Sequence, residues 1–331
     1  YCSAGAITSW SCGPSCSGSP VAQGSVRMFG PTSLHDMVGY AARTLVQTGY
    51  ASDCVVAFRG TSGHSPNNFF TNVQTTPTPW PPSGSSRANA TWCANCFAHR
   101  GFAFGYEEVR PHMLDAISSL RCSSVTLTGY SLGAAIATLA ALDLRGSEGM
   151  RVDAVWTFGK PRVGDASFVK AFVSAAAKQH VSPPMWRVVH YHDLIPRLPP
   201  STVPLQPLDP RLAWVDHYYV HEPLEVYYVN EESSKYRVCP STRKNPENPE
   251  CALAVSAAHA DFGDHNVYLN VTMDEMRMPG ACHAHDIQYL PLYHPWFCLG
   301  LILLACACTG PCVYACVRRR CAAREAYMSL S

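Results

Sequence analysis

The stretch "VTLTGYSLGAAIATLAALDLR", residues 125–145, decides the fold. An apolar run of strand length passes through Gly129-Tyr130-Ser131-Leu132-Gly133 into a long apolar helix. A serine between two glycines where a strand meets a helix is typical of a nucleophile elbow, because so tight a turn leaves no room for neighbouring side chains. The N–H of Leu132 would lie at a helix N-terminus, where partial positive charge favours an oxyanion. A serine that only caps the helix is the alternative.

A serine nucleophile needs an imidazole base that a carboxylate holds in one tautomer. On chains with this elbow the order is serine, acid, histidine, with the last two on loops after later strands. Asp193 follows an apolar strand directly in "VVHYHDLIPRLPP" (188–200), so it is the predicted acid. Asp165, the alternative, fits better as the first residue of a helix.

Several histidines are candidates for the base: His217, His221, His259, His265, His283 and His285. Chain order and position favour His259 or His265. The pair His283 and His285, with Asp286, could suggest a metal, but histidines at i and i+2 without neighbouring cysteines are a weak pattern. We therefore predict no metal and no cofactor.

The composition is that of one large folded domain. The chain has 331 residues, of which 47% are hydrophobic and 15% charged, and its formal net charge is +1. This balance allows a large core and argues against a nucleic-acid partner or a strongly charged substrate.

The order of apolar runs predicts an α/β fold with a mostly parallel central sheet and helices on both faces. Two Tyr- and Val-rich runs within 203–228 predict an antiparallel extension of the sheet. The polar, Pro-rich residues 230–250 predict an exposed loop that Cys239 and Cys251 would close. Strands are predicted at 54–58, 124–129, 153–158 and 186–192, and helices at 33–49, 105–120, 132–145 and 165–178.

The sixteen cysteines fall into two groups, ten between Cys2 and Cys282 and six in the last 34 residues. An even ten predicts a disulfide framework and an oxidising compartment. Cys54 and Cys122 begin two strands expected to be neighbours, so they could pair. Two glycosylation acceptors, at Asn89 and Asn270, agree with passage through the secretory pathway.

Residues 296–317 have a different character. Twenty-two residues pass without a charge before a cluster of arginines begins at Arg318. As a helix this segment would be about 33 Å long, which matches a hydrocarbon core of ~30 Å. The positive-inside rule then places the folded domain, residues 1–288, outside the cytosol, with residues 289–331 as span and basic tail. The alternative is a buried helix or a disulfide-rich tail, because Gly310-Pro311 interrupts the run.

Several blocks of the sequence, in order, resemble the class 3 lipases, the fungal-type secreted triacylglycerol lipases of the α/β-hydrolase fold. The resemblance covers roughly residues 1 to 282. The blocks are "VVAFRGTS" (55–62), "HRGF" (99–102), the elbow stretch (126–145), "TFGKPRVGDASF" (157–168), "HYHDLIPRLPP" (190–200) and "DHNVYL" (264–269).

The resemblance implies a serine esterase that acts on lipid esters, such as acylglycerols, at a membrane or lipid surface. It implies Ser131, Asp193 and His265 as the triad, which selects His265 over His259. Thr61 would join Leu132 in the oxyanion hole. A short amphipathic lid would follow Thr61, with Phe69, Phe70 and Val73 as its apolar side.

The resemblance also implies three disulfides: Cys2–Cys282, Cys12–Cys16 and Cys93–Cys96. A C-terminal membrane span is not typical of the secreted members of the family, and the chain departs from the family in two further respects. Tyr130 stands where the family usually has histidine, and the segments from Thr61 to His99 and from Asp193 to His265 are longer.

The alternatives are a phospholipase or carboxylesterase with the same triad, and an inactive, membrane-anchored binding protein. The location is either membrane-anchored, with the catalytic domain extracellular or lumenal, or secreted; the oligomeric state stays open.

Overall fold

A computed structural model describes residues 2–13, 16, 19–45, 52–62, 71–72, 74–201, 219–240 and 247–273. Its helices are α1 (Ala4–Thr8), α2 (Arg100–Ser119), α3 (Leu132–Gly146) and α4 (Ala166–Lys178). Its strands are β1 (Arg27–Phe29), β2 (Gly39–Arg43), β3 (Cys54–Phe58), β4 (Pro77–Pro79), β5 (Phe97–His99), β6 (Ser124–Tyr130), β7 (Arg151–Phe158), β8 (Trp186–His190), β9 (Glu225–Tyr228), β10 (Tyr236–Cys239), β11 (Val267–Tyr268) and β12 (Val271–Thr272).

Eight strands form one central sheet in the order β1-β2-β3-β6-β7-β8-β9-β10. The five strands from β3 to β9 pair in parallel, whereas β1, β2 and β10 add antiparallel strands at the two edges. Parallel pairing brings the carboxyl ends of β3, β6 and β8 to one edge of the sheet. This is the edge at which α/β folds carry their sites.

The described helices lie on both faces of the sheet, but unevenly. Helix α3 is buried along almost its whole length and packs against β6 and β7. Helices α2 and α4 pack around it and share its core with Val56 and Leu127. On the opposite face, α1 packs through Ile7 against Ala42. A helix that is apolar all round, as α3 is, requires such coverage on every side.

The predicted helix at 33–49 is wrong. Residues 39–43 form β2, which pairs antiparallel with β1 and with β3. The apolar residues of this segment recur with the spacing of a helix, but in the structure they point alternately to the two faces of the sheet, and both faces are buried. Ala41 lies in the main core and Ala42 in the small cluster beneath α1. Burial on both faces removes the polar alternation by which a strand is usually recognised.

The prediction for 203–250 is wrong in two places. Strand β9 pairs in parallel with β8, not antiparallel, and β10 lies inside the segment predicted to be an exposed loop. Exposure itself is correct for most of β10, in which only Cys239 is buried. Strand β10 is only four residues long and lies inside a polar, Pro-rich segment, which is why this part of the sequence resembles a loop. Residues 202–218 lie outside the described part of the chain.

Four disulfides join the cysteine pairs that the sequence suggested: Cys12–Cys16, Cys54–Cys122, Cys93–Cys96 and Cys239–Cys251. The second of these links the starts of β3 and β6, which lie side by side. Cys2 is also disulfide-bonded. Its predicted partner, Cys282, lies outside the described residues.

The predicted membrane segment at 296–317 and the whole of 289–331 lie outside the described residues. Among the residues that are described, no helix combines the length and the apolar character needed to cross a bilayer.

Candidate active site

The turn between β6 and α3 depends on close backbone contacts at two glycines. A Cβ at Gly129 would collide with the backbone of Gly133, and a Cβ at Gly133 would collide with the carbonyl oxygens of Phe58 and Arg59. The first contact lets the turn close, and the second lets the start of α3 lie against the end of β3. No side chain can be accommodated at either position.

Ser131 occupies the turn with φ 55° and ψ −124°, outside the regions that a serine ordinarily adopts. Its N–H donates to the carbonyl of Phe158 at the end of β7, at 2.9 Å. Its side chain makes no capping hydrogen bond to α3. The hydroxyl instead lies 2.9 Å from Nε2 of His265. The alternative that this serine merely caps the helix therefore does not describe the geometry.

The predicted acid, Asp193, and the predicted base, His265, lie in buried positions beside this hydroxyl. Nδ1 of His265 is 2.8 Å from Oδ2 of Asp193, and both side chains are almost fully buried. The backbone N–H of Ile195 donates to Oδ1 of Asp193 at 2.8 Å, and the Tyr268 hydroxyl donates to Oδ2. Burial and the adjacent negative carboxylate raise the pKa of Tyr268 well above its usual value, so the phenol stays a donor.

A third glycine makes room for this pair. Gly159, directly after β7, has φ +58°, and a Cβ there would fall 2.7 Å from Cε1 of His265 and 3.1 Å from Oδ2 of Asp193. Any side chain would push apart the two groups whose contact orients the base.

The predicted oxyanion donors follow neighbouring parallel strands in register. Phe58 pairs with Gly129, so Thr61 and Leu132 each stand three residues beyond a paired position. Leu132 is the first residue of α3, where N–H groups have no partner within the helix. The side-chain amide of Asn72 donates to Oγ1 of Thr61 at 2.8 Å. Because that oxygen accepts from Asn72, the hydroxyl proton of Thr61 must point in another direction.

The other candidates have different surroundings. Asp165 is the N-cap of α4 and accepts from the N–H of Phe168. His259 is exposed and contacts Ser256. His221 is buried against the carbonyl of Pro196, and burial holds its pKa well below the usual value. His217, His283, His285 and the lid residues Phe69, Phe70 and Val73 lie outside the described residues.

Within the described part of the chain, one buried group has metal-ligand types close together: Glu225, Cys239 and Cys251. The two sulfurs form a disulfide, and the carboxylate is paired with Arg187 at 2.8 Å. Sulfur in a disulfide is not a thiolate, so this group is not suited to hold a metal.

Sequence reasoning did not assign roles to three residues that support the site: Asn72, Gly159 and Tyr268. Tyr268 lies in the quoted block "DHNVYL", where its spacing from His265 was visible although its contact with Asp193 was not. Gly159 stands in the quoted block at 157–168. No pattern in the sequence distinguishes Asn72, because its contact with Thr61 spans a segment without periodicity.

A mostly parallel sheet with a serine elbow, and an aspartate and a histidine brought to it from later loops, defines the α/β-hydrolase fold. Residues 55–203 match the family described as lipase (class 3). Over these residues the chain is similar to the class 3, fungal-type lipases.

Individual relatives agree with this assignment. The chain is 34% identical over 166 residues to lipase A of Sodiomyces alcalophilus, covering 44% of this chain and 39% of that protein. It is 34% identical over 193 residues to secreted mono- and diacylglycerol lipase 2 of Gibberella zeae, covering 51% and 47%. The chain thus spans less than half the length of each. The solved structure of Rhizomucor miehei triacylglyceride lipase has the same fold, with a TM-score of 0.56, 23% identity, and coverage of 80% of this chain and 86% of that one.

Proposed function

We propose that the protein is a serine ester hydrolase that cleaves carboxylic esters of lipids through an acyl-enzyme. One observation carries the proposal. Ser131, His265 and Asp193, separated by 134 and 72 residues along the chain, form a continuous hydrogen-bonded series with distances of 2.9 and 2.8 Å. A serine, an imidazole and a buried carboxylate in that order are the arrangement that activates a hydroxyl for acyl transfer.

In the proposed reaction, Oγ of Ser131 attacks the ester carbonyl carbon and its proton passes to Nε2 of His265. Asp193 holds the imidazole by its other nitrogen. The N–H of Leu132 and the hydroxyl of Thr61 donate to the negative oxygen of the tetrahedral intermediate and stabilise it. The alcohol leaves with the proton from His265. Water then attacks the acyl carbon and gives a proton to His265. The bond from the acyl carbon to Oγ of Ser131 breaks, His265 returns the proton to Oγ, and the carboxylic acid is released.

Acylglycerols are the proposed substrate class. The support comes from relatives, four of which are described as secreted mono- and diacylglycerol lipases. A phospholipase or carboxylesterase with the same triad is the alternative, because the longer segments after Thr61 and after Asp193 both border the acyl site. An amphipathic lid with Phe69, Phe70 and Val73 belongs to the proposal as well.

The test measures hydrolysis of chromogenic esters of graded chain length by the wild-type protein and by Ser131→Ala. We expect the variant to lose at least ~10⁴-fold in kcat. Equal rates from the two proteins would refute the proposed hydrolase activity and would favour the alternative, an inactive binding protein. A panel of triacylglycerol, monoacylglycerol and phospholipid then separates the substrate classes. A rise in rate above the solubility limit of the ester would support the lid.

Passage through the secretory pathway is part of the proposal. Nine cysteines of the described residues are disulfide-bonded, and Asn89 and Asn270 are both exposed. Secretion is supported by the relatives described as secreted. Membrane anchoring through residues 289–331 remains a proposal from the sequence alone. Expression in a eukaryotic secretory host, followed by glycosidase treatment, should shift the mass of the wild type but not that of Asn89→Gln/Asn270→Gln. Release of the full chain from membranes by a carbonate wash would contradict the anchor.

A further inference from the structure

Tyr130, the residue directly before the nucleophile, makes two separate contacts with His265. Its hydroxyl donates to the backbone carbonyl of His265 at 2.8 Å. Its ring lies nearly parallel to the imidazole, with centroids 4.8 Å apart and an angle of 26° between the planes. The two residues are 135 positions apart in the chain, so these contacts join the end of β6 to the loop that carries the base.

The backbone of this loop is held to the sheet at two consecutive carbonyls. The carbonyl oxygen of Asp264 lies 3.0 Å from Nδ1 of His190, the last residue of β8, whose Nε2 lies 2.9 Å from the carbonyl oxygen of Glu231. The next carbonyl, that of His265, accepts from Tyr130. Two side chains that project from two strands therefore fix the peptide unit that precedes the imidazole and the one that follows it. Because the peptide units on both sides of His265 are held, its backbone has little freedom to move the imidazole away from Ser131.

The stacked ring has a chemical consequence as well. When His265 takes the proton of Ser131 it becomes an imidazolium, and the face of an aromatic ring attracts a cation. The Tyr130 ring offers that face from one side, while Tyr268 meets the same imidazole edge-on, at 6.5 Å and 89°. Because Tyr130 and Ser131 are neighbours in the chain, a single peptide bond links the nucleophile to the ring that supports its base.

We propose that Tyr130 is a positioning residue for His265: its hydroxyl fixes the backbone of the base and its ring supports the imidazolium formed during acyl transfer. This inference rests on the proposed ester hydrolysis. It gives a role to the position at which this chain differs from the histidine usual in the family. Tyr130 touches the base and not the reacting carbonyl, so its effect should appear in turnover and not in binding.

The test compares Tyr130→Phe, which removes only the hydroxyl, with Tyr130→Leu, which removes the hydroxyl and the aromatic face. Tyr40→Phe is the matched control, because Tyr40 is also a half-buried tyrosine of the central sheet but lies on β2, where its ring contacts Trp10. Three quantities are measured for each protein: kcat and KM on a short, soluble ester, the rate at which an organophosphonate modifies Ser131, and the midpoint of thermal unfolding. The phosphonate reports activation of the serine without lipid binding.

We expect Tyr130→Phe to lower kcat about 5-fold, the worth of one hydrogen bond, with KM unchanged within about twofold. Tyr130→Leu should lower kcat about 30-fold, since the support of the cation is also lost. The phosphonate rate should fall in parallel, and Tyr40→Phe should match the wild type in kcat.

Two results would overturn the positioning role: wild-type kcat and phosphonate rate in Tyr130→Phe, or a raised KM with unchanged kcat, which would make Tyr130 a substrate contact. If Tyr130→Leu does not fold, Tyr130→Phe alone decides. A wild-type protein that neither hydrolyses esters nor reacts with the phosphonate would refute the proposed function itself, which is a different outcome from an active wild type with an unaffected Tyr130→Phe.

Discussion

The two halves of the candidate site are held together by different kinds of contact. The elbow half consists of the ends of β3 and β6 and the start of α3, and it is shaped by backbone packed on backbone at Gly129 and Gly133. The base half consists of the loops after β8 and before β11. Side-chain hydrogen bonds hold it, from His190 and Tyr130 to loop carbonyls and from Tyr268 to Asp193.

This difference predicts different kinds of failure. Close backbone contacts tolerate no added atom, so a substitution that adds an atom in the elbow half should lower the stability of the fold. Hydrogen bonds between side chains can be removed without adding atoms, so an error in the base half should cost activity while the fold persists. The variants below test that division from the largest expected effect to the smallest.

Asp193→Asn should produce the largest change, and it should be a change in activity. The amide keeps the size of the carboxylate but no longer holds His265 in the correct tautomer, which in a comparable triad costs about 10⁴-fold in kcat. Asp165→Asn is the matched control, since Asp165 is similarly buried but caps α4. Steady-state kinetics on one ester should show wild-type kcat for the control. Equal losses in both variants would mean that Asp193 is not the acid.

Gly133→Ala should produce the largest change in stability. The new methyl group would overlap the carbonyl oxygens of Phe58 and Arg59, and neither backbone can move without shifting β3. We expect the free energy of unfolding to fall by about 3 kcal/mol, measured by denaturant titration. Gly5→Ala is the control, because a Cβ on Gly5 meets no atom within 4 Å. A stable Gly133→Ala that merely loses activity would contradict the division between the two halves.

The same division explains how much the sequence could predict. The elbow half was readable because its determinants are local: the glycine spacing, the strand before and the apolar helix after lie within some twenty residues. Strand β2 was misread as a helix because burial on both faces hides its period. In the base half, chain order left His259 and His265 equal, and only the family resemblance separated them. Contacts such as Tyr130 with His265 join residues far apart in the chain, and no local pattern records them.

Thr61→Val should have an intermediate effect on activity. Valine keeps the shape and the backbone N–H of Thr61 but removes the hydroxyl that is the proposed second oxyanion donor. Removal of one such donor typically costs about 10²-fold in kcat, with little change in KM. Thr126→Val, near the start of β6, serves as the control, because the Thr126 hydroxyl also shares a hydrogen bond with a side chain, that of Ser52, at the end of the strand opposite the turn. Thr61 also accepts from Asn72, so a loss of stability in Thr61→Val matched by an equal loss in Asn72→Leu would assign the hydroxyl to structure instead of catalysis.

Glu108→Gln should have the smallest effect, because Glu108 supports the elbow half only at a distance. Its carboxylate on α2 accepts hydrogen bonds from the Thr32 hydroxyl and from the N–H groups of Leu34 and His35. These bonds hold the loop whose next residue, Asp36, pairs with Arg59 at 2.8 Å, directly after β3. Partial burial raises the pKa of Glu108, but the hydrogen bonds outweigh it and lower the pKa from 4.5 to about 2.

A lowered pKa in the folded state means that the stabilisation by Glu108 is present above the unfolded value, near 4.5, and is lost as the pH falls toward about 2. Glu108→Gln should therefore unfold about 1–2 kcal/mol more easily than the wild type at neutral pH, a modest figure because solvent partly screens the carboxylate. The two unfolding free energies should converge between pH 4.5 and 2. A difference that stays constant through that range would show that the charge of Glu108 does not hold the loop, and that packing of α2 against residues 32–36 is sufficient.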